Sequence, residues 1–125
     1  MNILIYGNGY DQNSLEELIG SCGAMQYRRI HFFKPDSYNE YIAEMKRVIP
    51  QIIFVSEHGA EGMEAVIAAK NLHPNTSVIW FSNDEGFGTQ SYRLGCTYFS
   101  AKPVTHEVIE HAMSRYSEER SVRVC

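Results

Sequence analysis

The sequence predicts an α/β domain built on a doubly wound parallel sheet, and three observations carry that prediction. Apolar runs of strand length alternate with segments of helical period along the whole chain. The two middle runs, Ile52-Ile53-Phe54-Val55 and Val78-Ile79-Trp80-Phe81, are continuously apolar, as central parallel strands buried on both faces require. Pro50 and Pro74 stop a helical segment just ahead of each run, so the connections are short and parallel neighbours are joined by right-handed helical crossovers.

Each element has its own local reason. The first strand is expected over Asn2 to Tyr6, followed by the turn residues Gly7-Asn8-Gly9 and a helix over Asn13 to Ala24. A second strand is expected over Arg28 to Phe33. Asp36 or Ser37 can cap the next helix, Tyr38 to Val48, in which Tyr38, Ile42, Met45 and Ile49 fall on one face. The third strand, Gln51 to Val55, leads to a helix over Gly62 to His73, and the fourth, Ser77 to Phe81, to a short helix over Gly88 to Leu94. A fifth strand over Thr97 to Phe99 precedes Thr105, which opens the last helix, Thr105 to Ser117. The domain is expected over residues 1 to 118, with 119 to 125 as a tail or linker stub.

A chain of 125 residues supports one core and leaves no room for a second. Its formal net charge of -4 and scattered Lys and Arg residues exclude the basic stripe that nucleic acid binding needs, so no direct nucleic acid contact is expected. The start is a strand rather than a basic, then apolar, leader, and no apolar run reaches the roughly 20 residues that span a bilayer. A cytoplasmic location without membrane contact is expected. Cys22, Cys96 and Cys125 are odd in number and lack paired spacing, which fits a reducing compartment and gives no metal frame. The first two are expected to be packed and Cys125 exposed.

Catalytic motifs are missing. No GxSxG, HExxH or CxxC occurs, and Gly7-Asn8-Gly9-Tyr10 fails the dinucleotide fingerprint because Gln12 stands where the third glycine belongs. His106 and His111 are five apart and share no helical face at metal spacing. No enzyme activity, metal or cofactor is expected.

The third and fourth strand runs each end in a serine, Ser56 and Ser82, and Lys102-Pro103 follows the fifth. This layout resembles the receiver domain of bacterial two-component response regulators. Gly62-Met63-Glu64-Ala65 and Ser91-Tyr92-Arg93-Leu94-Gly95-Cys96-Thr97-Tyr98-Phe99 further resemble the receiver half of LytTR-type transcription regulators. The resemblance implies a flavodoxin-like (CheY-like) sheet of order 2-1-3-4-5 with five helices and a cis Lys102–Pro103 bond. In such a sheet the ligand site lies beyond the carboxyl ends of the strands, so Gly7, Asn8, Ser56, Ser82 and Lys102 should converge there.

Against the receiver pattern, the chemistry is gone. Ser56 stands at the phosphoacceptor aspartate, and Gly7 and Asn8 stand at the acidic pair that would hold magnesium. Phosphoryl transfer needs a carboxylate nucleophile and a cation to offset the developing charge, and magnesium binds through carboxylate oxygens. Ser82, Phe99, Lys102 and Pro103 match retained receiver positions. Lys102, without its aspartate, is expected to recruit another group or lose its proton: a salt bridge to Asp84, Glu85 or Asp11, exposure to solvent, or an anion held with the Ser56 and Ser82 hydroxyls and backbone N–H groups. Tyr92, Tyr98 and Met113 fall where receivers dimerise, on the fourth helix, fifth strand and fifth helix. The resemblance implies a receiver that acts without phosphorylation, as a homodimer or against another signalling protein. Two alternatives stand beside it: a conventional receiver phosphorylated through another carboxylate, and a small-anion or flavin-binding protein of the same fold.

Overall fold

A computed structural model describes residues 1–26 and 28–124, the last four as helix backbone. Five strands, β1 (Asn2–Gly7), β2 (His31–Phe33), β3 (Ile52–Ser56), β4 (Ser77–Ser82) and β5 (Tyr98–Ala101), form one sheet of order β2-β1-β3-β4-β5. Every pairing is parallel. The helices are α1 (Gly9–Gly20), α2 (Tyr38–Arg47), α3 (Gly59–Leu72), α4 (Gly88–Arg93) and α5 (His106–Val124), with single 3-10 turns at Gly23–Met25 and Glu85–Phe87. This is the flavodoxin-like arrangement expected.

Alternation along the strands splits the core into two layers. Ile3, Ile5, Ile52, Phe54, Ile79 and Phe81 face α1 and α5, where Leu15, Ile19, Ile109 and Met113 cover them. Leu4, Ile53, Val55, Val78 and Trp80 face the other way, against Tyr41 and Met45 of α2 and Ala65, Val66 and Ala69 of α3. Both faces of β3 and β4 are buried, which is why those strands read as unbroken apolar runs. Packing of α3 is close at Gly62: a Cβ there would lie 2.4 Å from the Glu57 carbonyl oxygen and 2.7 Å from Trp80 Nε1.

Several boundaries differ from expectation, among them the start of α3, at Gly59 rather than Gly62. Helix α1 begins at Gly9 rather than Asn13, because Asn8 acts as its N-cap and accepts a hydrogen bond from the Asp11 N–H. Strand β2 spans only His31–Phe33, pairing with β1 on one side, as an edge strand does. Helix α5, expected over Thr105 to Ser117, begins at His106 and runs on to Val124, taking in Glu119. Its carboxylate accepts hydrogen bonds from Ser77 Oγ at 2.9 Å and Thr97 Oγ1 at 2.7 Å, tying the late turns of α5 to the starts of β4 and β5. Cys125 lies outside the described residues. Cys22 is buried and Cys96 half-buried, and burial pushes the Cys96 thiol up to about 12.

Candidate functional site

At the carboxyl ends of β1, β3 and β5, one carboxylate gathers the polar groups. Asp11, in the first turn of α1, accepts on Oδ2 from Lys102 Nζ at 2.8 Å, Ser56 Oγ at 3.0 Å and Asn8 Nδ2 at 3.2 Å. The local sequence places it there. With Asn8 as N-cap, Asp11 is the third helical residue, a capping-box position, and the positive end of the helix favours an acid there. Ser56 is held by the end of β3, which pairs with the end of β1 so that Gly7 lies opposite it. Lys102 follows β5, its N–H donates to the Ser82 carbonyl at 2.9 Å, and the Lys102–Pro103 bond is cis, as the resemblance implies.

Of the three acids weighed for Lys102, the structure selects Asp11. The ion pair is largely covered, with side-chain exposures of 17% for Lys102 and 21% for Asp11. Asp84 instead caps its own turn, accepting from the Gly86 N–H. Ser82 is fully buried, and its hydroxyl accepts from the Asp84 N–H at 3.2 Å. It reaches Lys102 through backbone, so Ser82 does not supply the hydroxyl that the anion reading gave it. His58 meets Asn83, Nε2 to Nδ2 at 3.3 Å, while Ser56 bonds Asp11, so the two do not form a Ser–His pair.

Magnesium does not fit this arrangement. Gly7 offers no side chain, and a Cβ there would lie 2.9 Å from the Ser56 carbonyl oxygen and 3.1 Å from its Cβ, so a carboxylate at this position would force the end of β3 to shift. Asn8 is committed to capping α1 and to Asp11. Among the described residues no three His, Cys, Asp or Glu side chains stand close enough to share a metal ion.

Beside the ion pair opens a cavity of about 450 Å³. Asp11, Ser56, Asn83 and Lys102 form its polar side, and Leu15, Pro103 and Val104 an apolar wall. Ser14 and Tyr10 complete it, the latter 83% exposed. On the opposite side of the sheet, Tyr6 stacks on Tyr41 with ring centroids 4.4 Å apart, and both pack near Tyr38. Burial, then the carboxylates of Glu57 and Glu61, raises the Tyr6 hydroxyl above its ordinary value.

The other positions that the receiver resemblance singled out divide between surface and core. Phe99 is half-buried, edge-on to Trp80 at 5.3 Å and against Gly88. Tyr92 projects from α4 with 86% exposure, and Tyr98 is half-buried against the α1 and α5 layer. Met113 does not belong to a surface. It is 1% exposed, because Ile109, Met113 and Tyr116 form the inward stripe of α5.

Sequence reasoning missed the central role of Asp11, the added acceptor of Ser56 and the aromatic rim at Tyr10. The available signal was the Asn-x-x-Asp spacing from Asn8 to Asp11, which announces a helix start.

No family model and no curated protein sequence matches this chain. Solved structures do. A response regulator receiver domain protein from Clostridium thermocellum superposes with a TM-score of 0.75 at 15% identity, covering 97% of each chain. A LuxR family DNA-binding response regulator from Silicibacter pomeroyi gives 0.75 at 14% identity, covering 94% of this chain and 93% of that one. The signal receiver domain of a modulated diguanylate cyclase from Desulfovibrio desulfuricans G20 gives 0.71 at 17% identity, over 95% of both. With the strand order and the helices on both faces, these likenesses establish that the chain has the fold of response regulator receiver domains.

Proposed function

We propose that this is a receiver-fold module that works without phosphorylation, through protein contacts, in a cytoplasmic bacterial signalling or transcription-control protein. The observation that carries the reading is the Asp11–Lys102 pair. A receiver lysine exists to meet an acidic partner, and here that partner is built in from α1, on a residue outside the receiver acid positions. The pair holds α1 against the β5–α5 connection in one arrangement. Among the described residues a cation and a phosphoryl group have no cluster of carboxylates to receive them, and Gly7, Asn8 and Ser56 stand where the receiver resemblance puts those acids.

What remains useful in such a domain is its surface. Tyr92 is the large apolar group that α4 leaves in solvent, and with half-buried Tyr98 of the adjoining strand it serves as the contact for a second copy or another signalling protein. The likeness of residues 91 to 99 to LytTR-type receivers supports a regulatory setting for it. A rival reading has one specific observation in its favour: Asp11 is a carboxylate beside Lys102, as a phosphoacceptor would be. It is disfavoured because, among the described residues, Asp11 is not part of a group of three ligand side chains that could hold a cation.

Intact-mass measurement after incubation with acetyl phosphate and magnesium separates the two. The mass stays unchanged if the module is independent of phosphorylation. A hydroxylamine-labile gain of one phosphoryl group, lost in Asp11→Asn, establishes the rival.

A further inference from the structure

We propose that the cavity beside the Asp11–Lys102 pair binds a small, uncharged, planar ligand that presents a hydrogen-bond acceptor next to an N–H donor, as a cyclic amide or a nucleobase edge does. The inference rests on reading this site as one that phosphorylation does not use, and it names the input that would take phosphorylation's place.

Size comes first. A volume of about 450 Å³ lies within the range of small-molecule sites, roughly 300–1,000 Å³, and is ample for a one- or two-ring heterocycle. Charge comes next. The Lys102 ammonium is compensated at 2.8 Å by Asp11, so a phosphate or carboxylate entering the cavity meets a carboxylate beside the cation. An anion is therefore disfavoured here, in contrast to a receiver lysine standing free.

The open hydrogen-bond positions set the ligand's edge. Lys102 carries three N–H donors, and one goes to Asp11 Oδ2. Asp11 Oδ2 already accepts three hydrogen bonds, whereas Oδ1 accepts none among the described residues. Lys102 thus keeps donors, and Asp11 an acceptor oxygen, beyond those their mutual pair uses, and both residues line the cavity. A lactam or base edge answers both at once, with its carbonyl on Lys102 and its N–H on Asp11.

The walls supply the rest. Leu15, Pro103 and Val104 provide apolar surface for a flat body. Tyr10 lies at the mouth almost fully exposed, an aromatic that the core does not explain and over which a ring can stack.

Titration of the isotope-labelled domain with hypoxanthine, uracil and inorganic phosphate, followed by amide chemical shifts, tests the proposal. Saturable millimolar or tighter binding of at least one heterocycle is expected, with shifts centred on Tyr10, Asp11, Ser56 and Lys102 and no saturable response to phosphate. Ser14→Trp fills the cavity from α1 while keeping both Asp11 and Lys102 in the chain, and should weaken the heterocycle about tenfold or more. Asp11→Asn uncovers the Lys102 charge and should gain phosphate binding. If that variant fails to fold, Ser14→Trp still decides. Tighter binding of phosphate than of either heterocycle to the wild type, no response to any probe, or an unaltered heterocycle response in Ser14→Trp overturns the proposal. Failure here leaves the intact-mass result untouched, whereas a phosphoryl adduct overturns the reading of the site itself.

Discussion

Removing the Asp11 carboxylate tests how much the built-in counterion contributes. Breaking a fully buried ion pair by deleting one partner costs about 3–5 kcal/mol, and an exposed pair contributes about 1 kcal/mol or less. At exposures of 17% and 21% the Asp11–Lys102 pair sits between these limits, nearer the buried one, which gives about 2 kcal/mol for the stranded ammonium. Asp11→Ala also deprives Ser56, 2% exposed, of its acceptor, at a further cost of about 1 kcal/mol. The expected loss is about 3 kcal/mol, or roughly 10 °C in Tm for a domain of this size. Lys102→Met should cost only about 1.5 kcal/mol, because Asp11 keeps Ser56, Asn8 and the positive end of α1. The double variant should then lose about 3 kcal/mol rather than the sum, a coupling of about 1.5 kcal/mol. Urea unfolding of the four proteins at one ionic strength measures this cycle. Additivity within about 0.5 kcal/mol would show that the two groups do not support one another, and the argument for an internal counterion fails.

Four further outcomes follow from the packing and titration. Gly7→Ala and Gly62→Ala should each cost about 1–3 kcal/mol in urea melts, the second more, since the added Cβ atoms would fall 2.9 Å and 2.4 Å from backbone oxygens of Ser56 and Glu57. Placing an acid at Gly7 therefore destabilises the domain before it offers a metal ligand. Glu119→Ala should cost about 1–2 kcal/mol by stranding the Ser77 and Thr97 hydroxyls, whereas a tail residue would cost nothing measurable. Burial raises Cys96 from 9.0 to about 12, so its contribution to stability is intact below pH 9.0 and is lost as pH rises toward about 12. Cys96→Ala should flatten that alkaline fall in a urea midpoint-versus-pH series, with the buried Tyr41 hydroxyl, also raised, accounting for what persists. Sedimentation should show concentration-dependent self-association that Tyr92→Glu shifts toward monomer, independent of magnesium. Wild type that stays monomeric at high micromolar concentration directs the search to a heterologous partner.

What could be read from the sequence and what could not divide along physical lines. Strands β3 and β4 were legible because burial on both faces writes itself into consecutive residues, and the order of the sheet came with the Ser56, Ser82 and Lys102-Pro103 frame. Met113 was also legible. Ile109, Met113 and Tyr116 recur at helical spacing and announce a core stripe, and analogy with a dimer surface overrode that local signal. The end of α5 was not legible, because Glu118-Glu119-Arg120 reads as solvated charge until the hydroxyls of Ser77 and Thr97, far away in sequence, are seen to need an acceptor.

The partner of Lys102 was left open among three acids for a reason that lies at the other end of the chain. The two residues are separated by 91 positions, so no periodicity links them. What links them is where α1 begins. A helix starting at Asn13 leaves Asp11 in a loop, with no more claim on Lys102 than Asp84 or Glu85 has. A helix starting at Gly9, capped by Asn8, fixes Asp11 in its first turn, directly over the ends of β1 and β3. The misplaced helix start and the unassigned counterion are therefore one error. The four residues between the two starts separate a domain with an unpaired lysine, open to phosphate, from one whose site is already neutral.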